Sequence, residues 1–175
     1  MPTQTSPEFP SQLDSFDLDQ INDRLRIALE RLINHDGVLI RENANERSIC
    51  ARLAFYIQQE FPEFHVDCEY NRHHNDPQHI KRLHDSNLLQ IVREKRKDDD
   101  IDSVSVFPDI IVHRRGTNEN LLVIEAKKTT SDVNFEAFDL AKLKTYKSEL
   151  KFRFAKFLCF GTRTNEEPIT QNRDI

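Results

Sequence analysis

The stretch SVFPDIIVHRRGTNENLLVIEAKK, residues 105–128, determines which fold the chain can form. Residues 105–114 and residues 120–128 are rich in Val, Ile and Leu, and each run has the length of a strand. Between them lies Arg115-Gly116-Thr117-Asn118, which is rich in residues that favour turns. The stretch therefore predicts an antiparallel β-hairpin.

Asp109 interrupts an otherwise apolar run, and Glu125 and Lys127 lie at the end of another very apolar run. Successive side chains of a strand point to opposite faces, so Glu125 and Lys127 share one face at a spacing of about 7 Å. Antiparallel pairing can bring Asp109 beside them across the ladder. We therefore expect the three side chains to meet at one place.

The chemistry of this set indicates a metal-dependent site. Two converging carboxylates repel each other unless a cation lies between them, and ligands that are all oxygen suit Mg²⁺ or Mn²⁺. A lysine two residues from a metal-binding glutamate can orient or help to deprotonate an attacking water, and it can offset charge on a phosphorane-like transition state. The pattern favours phosphodiester hydrolysis. The alternative is structural: Glu125, Lys127 and Lys128 would form a fraying strand end, and Asp109 would be a local salt-bridge partner.

Upstream of the hairpin, the spacing of apolar residues predicts two helices. Residues 17–34 carry apolar residues at helical intervals. A second helix starts near Asn43 or Asn45, either of which could cap it, and ends at Phe61-Pro62. Glu46 lies in line with the buried face of this helix, which makes it a candidate site residue. The alternative is an acidic residue that the helix dipole favours in the first turn.

The remaining elements complete an α/β pattern. Residues 64–71 alternate well enough for a strand. Downstream of the hairpin, residues 134–149 predict a helix and residues 152–161 predict a final strand. The predicted order is helix, helix, strand, strand, strand, helix, strand.

One domain is expected, over residues 17–162, because the chain has 175 residues and shows no internal repeat. The N-terminal arm, residues 1–16, and the polar tail, residues 163–175, are both expected to be loose and frayed. Residues 72–105 are far longer than a normal connection, which indicates a functional or partly disordered segment. Its apolar residues allow a helix over about residues 76–97.

Composition excludes several classes of protein. Hydrophobic residues make up 37% and charged residues 31% of the chain, no apolar run could span a bilayer, and the N-terminus lacks the pattern of a signal peptide. The three cysteines form no CxxC pair, which argues against a zinc knuckle or a redox dithiol, and their odd number in a chain without a signal peptide predicts reduced thiols in or near the core of a cytoplasmic protein. Three unclustered glycines exclude a Walker loop and a dinucleotide-binding fingerprint.

The net charge of −5 means that any contact with nucleic acid must come from a local basic patch. Residues 72–97 are locally basic and could hold phosphates beside the site, with Arg72, Lys81 and Arg82 as candidate contacts. A solvated loop is the alternative. Zinc binding by the histidines of this segment is a weaker hypothesis, because their spacing fits no familiar ligand pattern.

Pro108-Asp109 followed by Glu125-Ala126-Lys127 resembles the PD-(D/E)xK motif of the restriction-endonuclease-like superfamily. The order of elements over residues 43–162 resembles the αβββαβ core of that superfamily, a mixed central sheet flanked by helices, with helix 17–34 as an addition. The resemblance implies that Asp109 and Glu125 bind Mg²⁺ or Mn²⁺ and that Lys127 assists the attacking water. It adds Glu46 and the backbone carbonyl of Ala126 as further candidate ligands.

Two further features are weaker. Some members of the superfamily carry a QxxxY motif on the next helix, near the DNA, and this chain has Lys142 and Tyr146 at the corresponding spacing. A lysine there could still meet a phosphate, so both residues are candidate nucleic-acid contacts. Glu69 is a candidate to support the metal ligands or to be one of them, with an ion pair to Arg72 or Lys127 as the alternative.

The sequence therefore predicts a Mg²⁺-dependent nuclease that hydrolyses nucleic acid, with DNA favoured over RNA. No membrane partner is expected, and a homodimer would suit a chain of this size that cuts both strands. The alternative is a catalytically inactive nucleic-acid-binding or assembly module on the same fold. A third hypothesis is a structural domain without any nucleic-acid role.

Overall fold

The computed structural model describes residues 12–70, 82–83, 86, 89–90, 104–105, 107–131 and 134–175. Its helices, after a 3₁₀ turn at Gln12–Ser15, are α1 (Leu18–Asp36), α2 (Val38–Arg41), α3 (Glu46–Glu60) and α4 (Asn134–Glu149). Its strands are β1 (His65–Cys68), β2 (Arg82–Leu83), β3 (Val104–Ser105), β4 (Ile110–His113), β5 (Asn120–Lys128), β6 (Phe154–Phe160) and β7 (Ile169–Asp174).

The main sheet has five strands in the order β1-β4-β5-β6-β7, and β2 pairs with β3 separately. Strands β5 and β6 run parallel, whereas the other neighbours in this sheet are antiparallel. A parallel pair needs a long crossover connection, and α4 lies in that connection. The chain is thus a mixed α/β protein with an open sheet flanked by helices, as the order of predicted elements indicates.

Strand β5 is buried on both faces because helices cover both sides of the sheet. On one side, Leu122 and Ile124 pack into a core formed with α1 and α3. On the other side, Val123 packs with Leu143 and Tyr146 of α4. Burial on both faces explains why β5 reads as a nearly continuous apolar run rather than as an alternating one.

The start of α3 is fixed by one capping residue. The side chain of Asn45 accepts a hydrogen bond of 2.8 Å from the backbone N–H of Ser48, which is the geometry of an N-cap. Asn43 instead has a positive φ of 51° and lies in the turn before it. The structure thereby decides between the two predicted caps, and Glu46 becomes the first residue of α3.

The predicted hairpin is confirmed, but its first strand is shorter than expected. Strand β5 has the predicted bounds, whereas β4 begins only at Ile110, so Asp109 precedes that strand instead of interrupting it. Residues Val104–Ser105 belong to β3 and pair with β2. The two ends of the predicted strand therefore lie in different sheets.

The expectation that residues 163–175 form a frayed tail is wrong for the second half of that segment. Residues Ile169–Asp174 form β7, which pairs antiparallel with β6. The apolar strand β6 would otherwise present an unpaired edge, and exposed edges of that kind invite aggregation. The sequence ITQNRD gives little sign of this because it lacks apolar alternation.

Most of the basic segment at residues 72–97 lies outside the described residues, including Arg72, Lys81, its histidines and the side chain of Arg82. Residues 82–83 form β2, so the helix expected over residues 76–97 is interrupted there.

Two smaller expectations can also be compared with the structure. Cys50 and Cys159 are buried free thiols, as predicted, whereas Cys68 is exposed. Within the described part of the chain, no helix combines the length and the apolar character needed to cross a membrane.

An ionic cluster ties β1 to the hairpin. The carboxylate of Asp67 on β1 accepts hydrogen bonds from His113 Nε2 and Arg115 Nε, both at 2.8 Å. The side chains of His113 and Asp67 are only 3% and 15% exposed, so solvent screens this cluster weakly. Burial raises the pKa of Asp67, but the hydrogen bonds from Arg115 and His113 outweigh burial and leave that pKa below its ordinary value.

Asp67→Asn is expected to lower the free energy of unfolding by about 1–3 kcal/mol at pH 7, because it removes hydrogen bonds to a charged group. A lowered carboxyl pKa stabilises the protein above the unfolded pKa of about 3.9, and this stabilisation is lost as pH falls through the folded pKa. The difference between the two proteins should therefore shrink at about pH 2.5. Urea unfolding at both pH values measures it.

Asp23→Asn is the matched control, since Asp23 is 75% exposed and lies 3.9 Å from Arg26. It should change stability little at either pH. If Asp67→Asn loses the same free energy of unfolding at both pH values, ionisation of Asp67 is not the source of the stabilisation.

Candidate active site

Glu125 is the buried centre of the charged cluster. Its side chain is 1% exposed, and it is held by two residues of α4. Lys142 Nζ donates to Glu125 Oε2 at 2.7 Å, and the Tyr146 hydroxyl donates to Glu125 Oε1 at 3.0 Å. Lys142 and Tyr146 are four residues apart, so they lie on the same face of the helix.

Asp109 lies beside Glu125, as the hairpin predicts. The pairing of Ile110 with Ile124 brings residue 109 opposite residue 125. Asp109 Oδ2 accepts a hydrogen bond of 2.8 Å from the backbone N–H of Ala126. This bond fixes the carboxylate just before the start of β4, next to the strand that carries Glu125 and Lys127.

Lys127 connects the sheet to helices on both of its sides. Its Nζ lies 3.2 Å from Glu46 Oε1 and 3.3 Å from Asp139 Oδ2. Because Glu46 is the first residue of α3, the capping of that helix by Asn45 determines where this carboxylate lies. The structure therefore brings together Glu46 and Lys127 as well as Asp109 and Glu125.

Asp139 belongs to the cluster although the sequence did not single it out. Its side chain is 3% exposed, and its two oxygens contact different lysines, Lys142 at 2.9 Å and Lys127 at 3.3 Å. The signal was present in the spacing: Asp139, Lys142 and Tyr146 fall at intervals of three and four, which is one helical face. That face is polar where a simple core helix would be apolar.

The cluster carries an excess of negative charge. Its ionisable members are four carboxylates and two ammonium groups, so with all of them ionised the sum is −4 + 2 = −2. Burial raises the pKa of Glu125 to about 8; Lys142 opposes that rise, and Asp109 and Asp139 add to it. Burial likewise raises the pKa of Asp109, against the Ala126 N–H and the two lysines.

Burial acts on the pKa of the two lysines in the opposite direction, but nearby carboxylates outweigh it. Burial lowers the pKa of Lys127, but the carboxylates of Asp139, Asp109 and Glu46 outweigh it, so the net shift is upward. For Lys142 the same opposition, between burial and the carboxylates of Glu125 and Asp139, also ends in a raised pKa. Each ammonium group is held by the acidic residues that surround it.

The donor set suits a hard divalent cation in its chemistry and in its charge. Every candidate side-chain ligand is a carboxylate, which Mg²⁺ and Mn²⁺ prefer, and with all groups ionised two negative charges lack a counter-charge within the cluster. Among the described residues, however, no three His, Cys, Asp or Glu side chains lie close enough together to hold a metal ion. Lys142 Nζ lies between Glu125 and Asp139, and Lys127 Nζ lies between Asp139 and Glu46. A metal ion would therefore need these side chains to rearrange.

Two other predictions are changed by the structure. Glu69 does not join the cluster: it is exposed, has a positive φ of 50°, and pairs with Arg47 at 2.7 Å. Its partner in that ion pair is Arg47, and neither Arg72 nor Lys127 takes part in it. Lys142 and Tyr146 point into the cluster, and Tyr146 is fully buried, so in this arrangement both contact Glu125 instead of a surface ligand.

Comparisons of the chain with protein-family models, with curated proteins and with solved structures found no match. The interpretation of the cluster therefore depends on its own residues: which groups meet, how deeply they are buried and what charge they carry.

Lys142→Met is expected to lower the free energy of unfolding by up to about 1.4 kcal/mol more at pH 9 than at pH 6, because Glu125 of the wild-type protein is ionised, and uses the Lys142 cation, only at the higher pH. Losing Lys142 raises the pKa of Glu125 above about 8, whereas an unfolded glutamate titrates near pH 4.3. At pH 6 both folded proteins keep a proton on Glu125, so the cost there comes from the lost contact with Asp139, and the further cost from Glu125 appears at pH 9. Urea unfolding at both pH values tests this.

The double variant Lys142→Met, Glu125→Gln should regain most of that stability at pH 9, because no buried charge is left without a partner. Lys144→Met, on the exposed side of α4, is the control and should cost little. A double variant as unstable as Lys142→Met alone would show that Lys142 acts through packing rather than through its charge.

Proposed function

We propose that this protein is a Mg²⁺-dependent nuclease that hydrolyses phosphodiester bonds of nucleic acid, with DNA as the favoured substrate. The observation that carries the proposal is the meeting of Asp109, Glu125 and Lys127 at one end of β5, in a cluster whose carboxylates outnumber its ammonium groups by two. A divalent cation would balance that charge, and phosphodiester hydrolysis is chemistry that such an ion and a lysine can carry out together.

The order of elements supports a restriction-endonuclease-like core. The series α3, β1, β4, β5, α4, β6 has the order αβββαβ, and β4 and β5 form the hairpin that carries the PD and ExK residues. In this interpretation α1, β7 and the β2–β3 pair are additions to the core.

Asp109 and Glu125 are the residues that would hold the metal, and the Ala126 carbonyl and Glu46 are the candidates to complete its ligands. When bound, Mg²⁺ would supply Lewis-acid stabilisation of the phosphate oxygens. Lys142 and Tyr146 orient the Glu125 carboxylate through hydrogen bonds to its two oxygens. Because Glu125 is buried, these bonds limit the positions that its carboxylate can take.

Lys127 has two tasks in this mechanism. Its ammonium group donates hydrogen bonds, so it can orient the attacking water and offset negative charge on the pentacovalent phosphorus. Glu46 and Asp139 contact this ammonium from two sides and thereby fix its position. Asp139 is thus a positioning residue, because it acts through Lys127 and Lys142.

A catalytically inactive nucleic-acid-binding module is the second candidate. It is favoured by one observation: Lys127 and Lys142 already bridge Glu46, Asp139 and Glu125. If those ion pairs persist in solution, the carboxylates keep their internal partners and no metal binds. This candidate predicts binding of nucleic acid without metal-dependent cleavage.

Wild-type protein with Mg²⁺ or Mn²⁺ is expected to cut DNA, and Lys127→Ala should lower the rate by at least about 10²–10³-fold, because it removes a preorganised positive charge. The assay uses supercoiled plasmid and single-stranded DNA, with EDTA as a blank. Lys144→Ala, which removes an exposed lysine of α4, is the matched control and should retain full activity. Equal cleavage by Lys127→Ala would identify a contaminant, and DNA binding without cleavage would favour the second candidate.

Binding of Mn²⁺ provides a test that does not depend on the substrate. We expect Asp109→Asn to weaken Mn²⁺ binding by at least about tenfold in isothermal titration calorimetry, since a charged ligand is lost. Glu30→Gln is the control, because Glu30 is an exposed residue of α1 that pairs with Arg26. If both variants bind Mn²⁺ like the wild type, Asp109 is not a ligand.

A further inference from the structure

A second feature lies at the same end of the central strands as the charged cluster. It is a cavity of about 360 Å³ between the α1–α2 turn and the loop that joins β6 to β7. Three apolar side chains line it, Ile33, Ile40 and Pro168, and two arginines, Arg41 and Arg163, add positive charge. Pockets for small ligands start at roughly 300 Å³, so the cavity has room for one compact group.

The shape of the cavity depends on two glycines. Gly37 and Gly161, two of the three glycines in the chain, both line it. A Cβ atom at Gly161 would overlap the carbonyl oxygen of Glu167, and one at Gly37 would overlap the carbonyl oxygen of Ile33. The backbone therefore approaches itself too closely for any side chain at either wall.

The charge of the cavity favours an anion. Glu166 is its one carboxylate, and that group accepts hydrogen bonds from the Thr129 hydroxyl and the backbone N–H of Arg163. Its remaining ionic contact is with Arg163 Nη1 at a distance of 3.9 Å. Arg41 is exposed and, within the described part of the chain, has no carboxylate partner. The sum over Arg41, Arg163 and Glu166 is +1, in a protein whose net charge is −5.

The cavity shares one lining residue with a smaller cavity that Lys127 also lines. A smaller cavity of about 190 Å³ is lined by Lys127, Thr129 and Arg163 among others, so Arg163 belongs to both cavities. Thr129 follows Lys127 by two residues, which is at most about 7 Å of extended chain. A strand whose scissile phosphate lies at Lys127 could therefore reach Arg163 within one or two nucleotides.

We propose that this arginine-lined cavity binds one nucleotide of the strand held at the active site, next to the bond that is cut. Arg41 and Arg163 contact its phosphate, and the partly exposed Ile33 and Pro168 pack against its sugar and base. Guanidinium groups suit phosphate because they present several N–H donors in a planar fork. Contacts to phosphate do not distinguish one base sequence from another. The cavity therefore strengthens binding of the strand and fixes its position relative to the active site. The identity of the occupant rests on the proposed nuclease function.

The test is nucleic-acid binding by the full chain in which Lys127→Ala prevents cleavage, in EDTA. Labelled 12-nucleotide DNA and RNA strands and the corresponding duplex DNA are titrated by fluorescence anisotropy at 50 and 200 mM salt. Arg41→Ala and Arg163→Ala should each weaken binding by roughly tenfold, because each removes a charge-assisted hydrogen bond. Each should also lower the slope of log K against log salt by about one. Arg41→Lys should keep most of that slope, since it keeps the charge.

Two further variants separate the charge of the cavity from the charge of the whole protein. Arg26→Ala is the matched control, because Arg26 is an exposed arginine of α1 that pairs with Glu30; it should bind like the parent protein. Thr164→Glu keeps both arginines and adds a negative charge to the lining of the cavity, so it should weaken binding about as much as losing one arginine. Thermal unfolding of each variant confirms that it is folded.

The proposal is overturned if folded Arg41→Ala and Arg163→Ala bind like Arg26→Ala, or if the parent protein binds none of the three nucleic acids. Binding of 5′-dAMP without binding of the oligonucleotides would assign the cavity to a free nucleotide and would also overturn it. The nuclease proposal fails separately. Arginine variants that bind more weakly, in a protein that never cleaves, would overturn only the nuclease; unchanged binding with Lys127-dependent cleavage would overturn only the cavity.

Discussion

The buried carboxylate of Glu125 is the constraint that organises the rest of the site. It lies on the central strand of the sheet, where helices cover both faces and water cannot solvate it. A charged group in such a place needs a partner or must take up a proton, and both responses are visible: Lys142 and Tyr146 contact its two oxygens, and burial raises its pKa to about 8. These contacts fix how α4 packs on the sheet.

Other parts of the cluster follow from that packing. Asp139 lies on the same face of α4 as Lys142, three residues earlier, and so it reaches Lys127 on β5. Lys127 in turn meets Glu46 at the start of α3, which belongs to the other side of the sheet. The ion pairs therefore join two layers of helices through the end of one strand. A change in any of these groups alters the electrostatic surroundings of the others, since little solvent lies between them.

The parallel pairing of β5 and β6 explains why the charged cluster and the arginine-lined cavity lie near each other. Parallel strands end at the same edge of a sheet, and the loops that follow them share one surface. Lys127 and Lys128 end β5, and Phe160 pairs with Lys128 just before the glycine that shapes the cavity. The charged cluster and the arginine-lined cavity thereby lie beside the ends of two paired strands.

Strand periodicity and turn residues were enough to predict the hairpin, the bounds of β5, and the meeting of Asp109 with Glu125 and Lys127, and the spacing of apolar residues predicted the bounds of α4, because these patterns act over short distances. Local patterns did not decide between Asn43 and Asn45 as the cap of α3. They also made Glu69 a candidate for the metal site, which it does not join, and gave no sign of β7. Those points, and the place of Asp139 in the cluster, were decided by the tertiary structure. An ion pair between Lys127 and Asp139, or the pairing of β7 with β6, depends on how distant elements pack. Spacing along the chain specifies a face of a helix or a strand, whereas packing decides what that face meets.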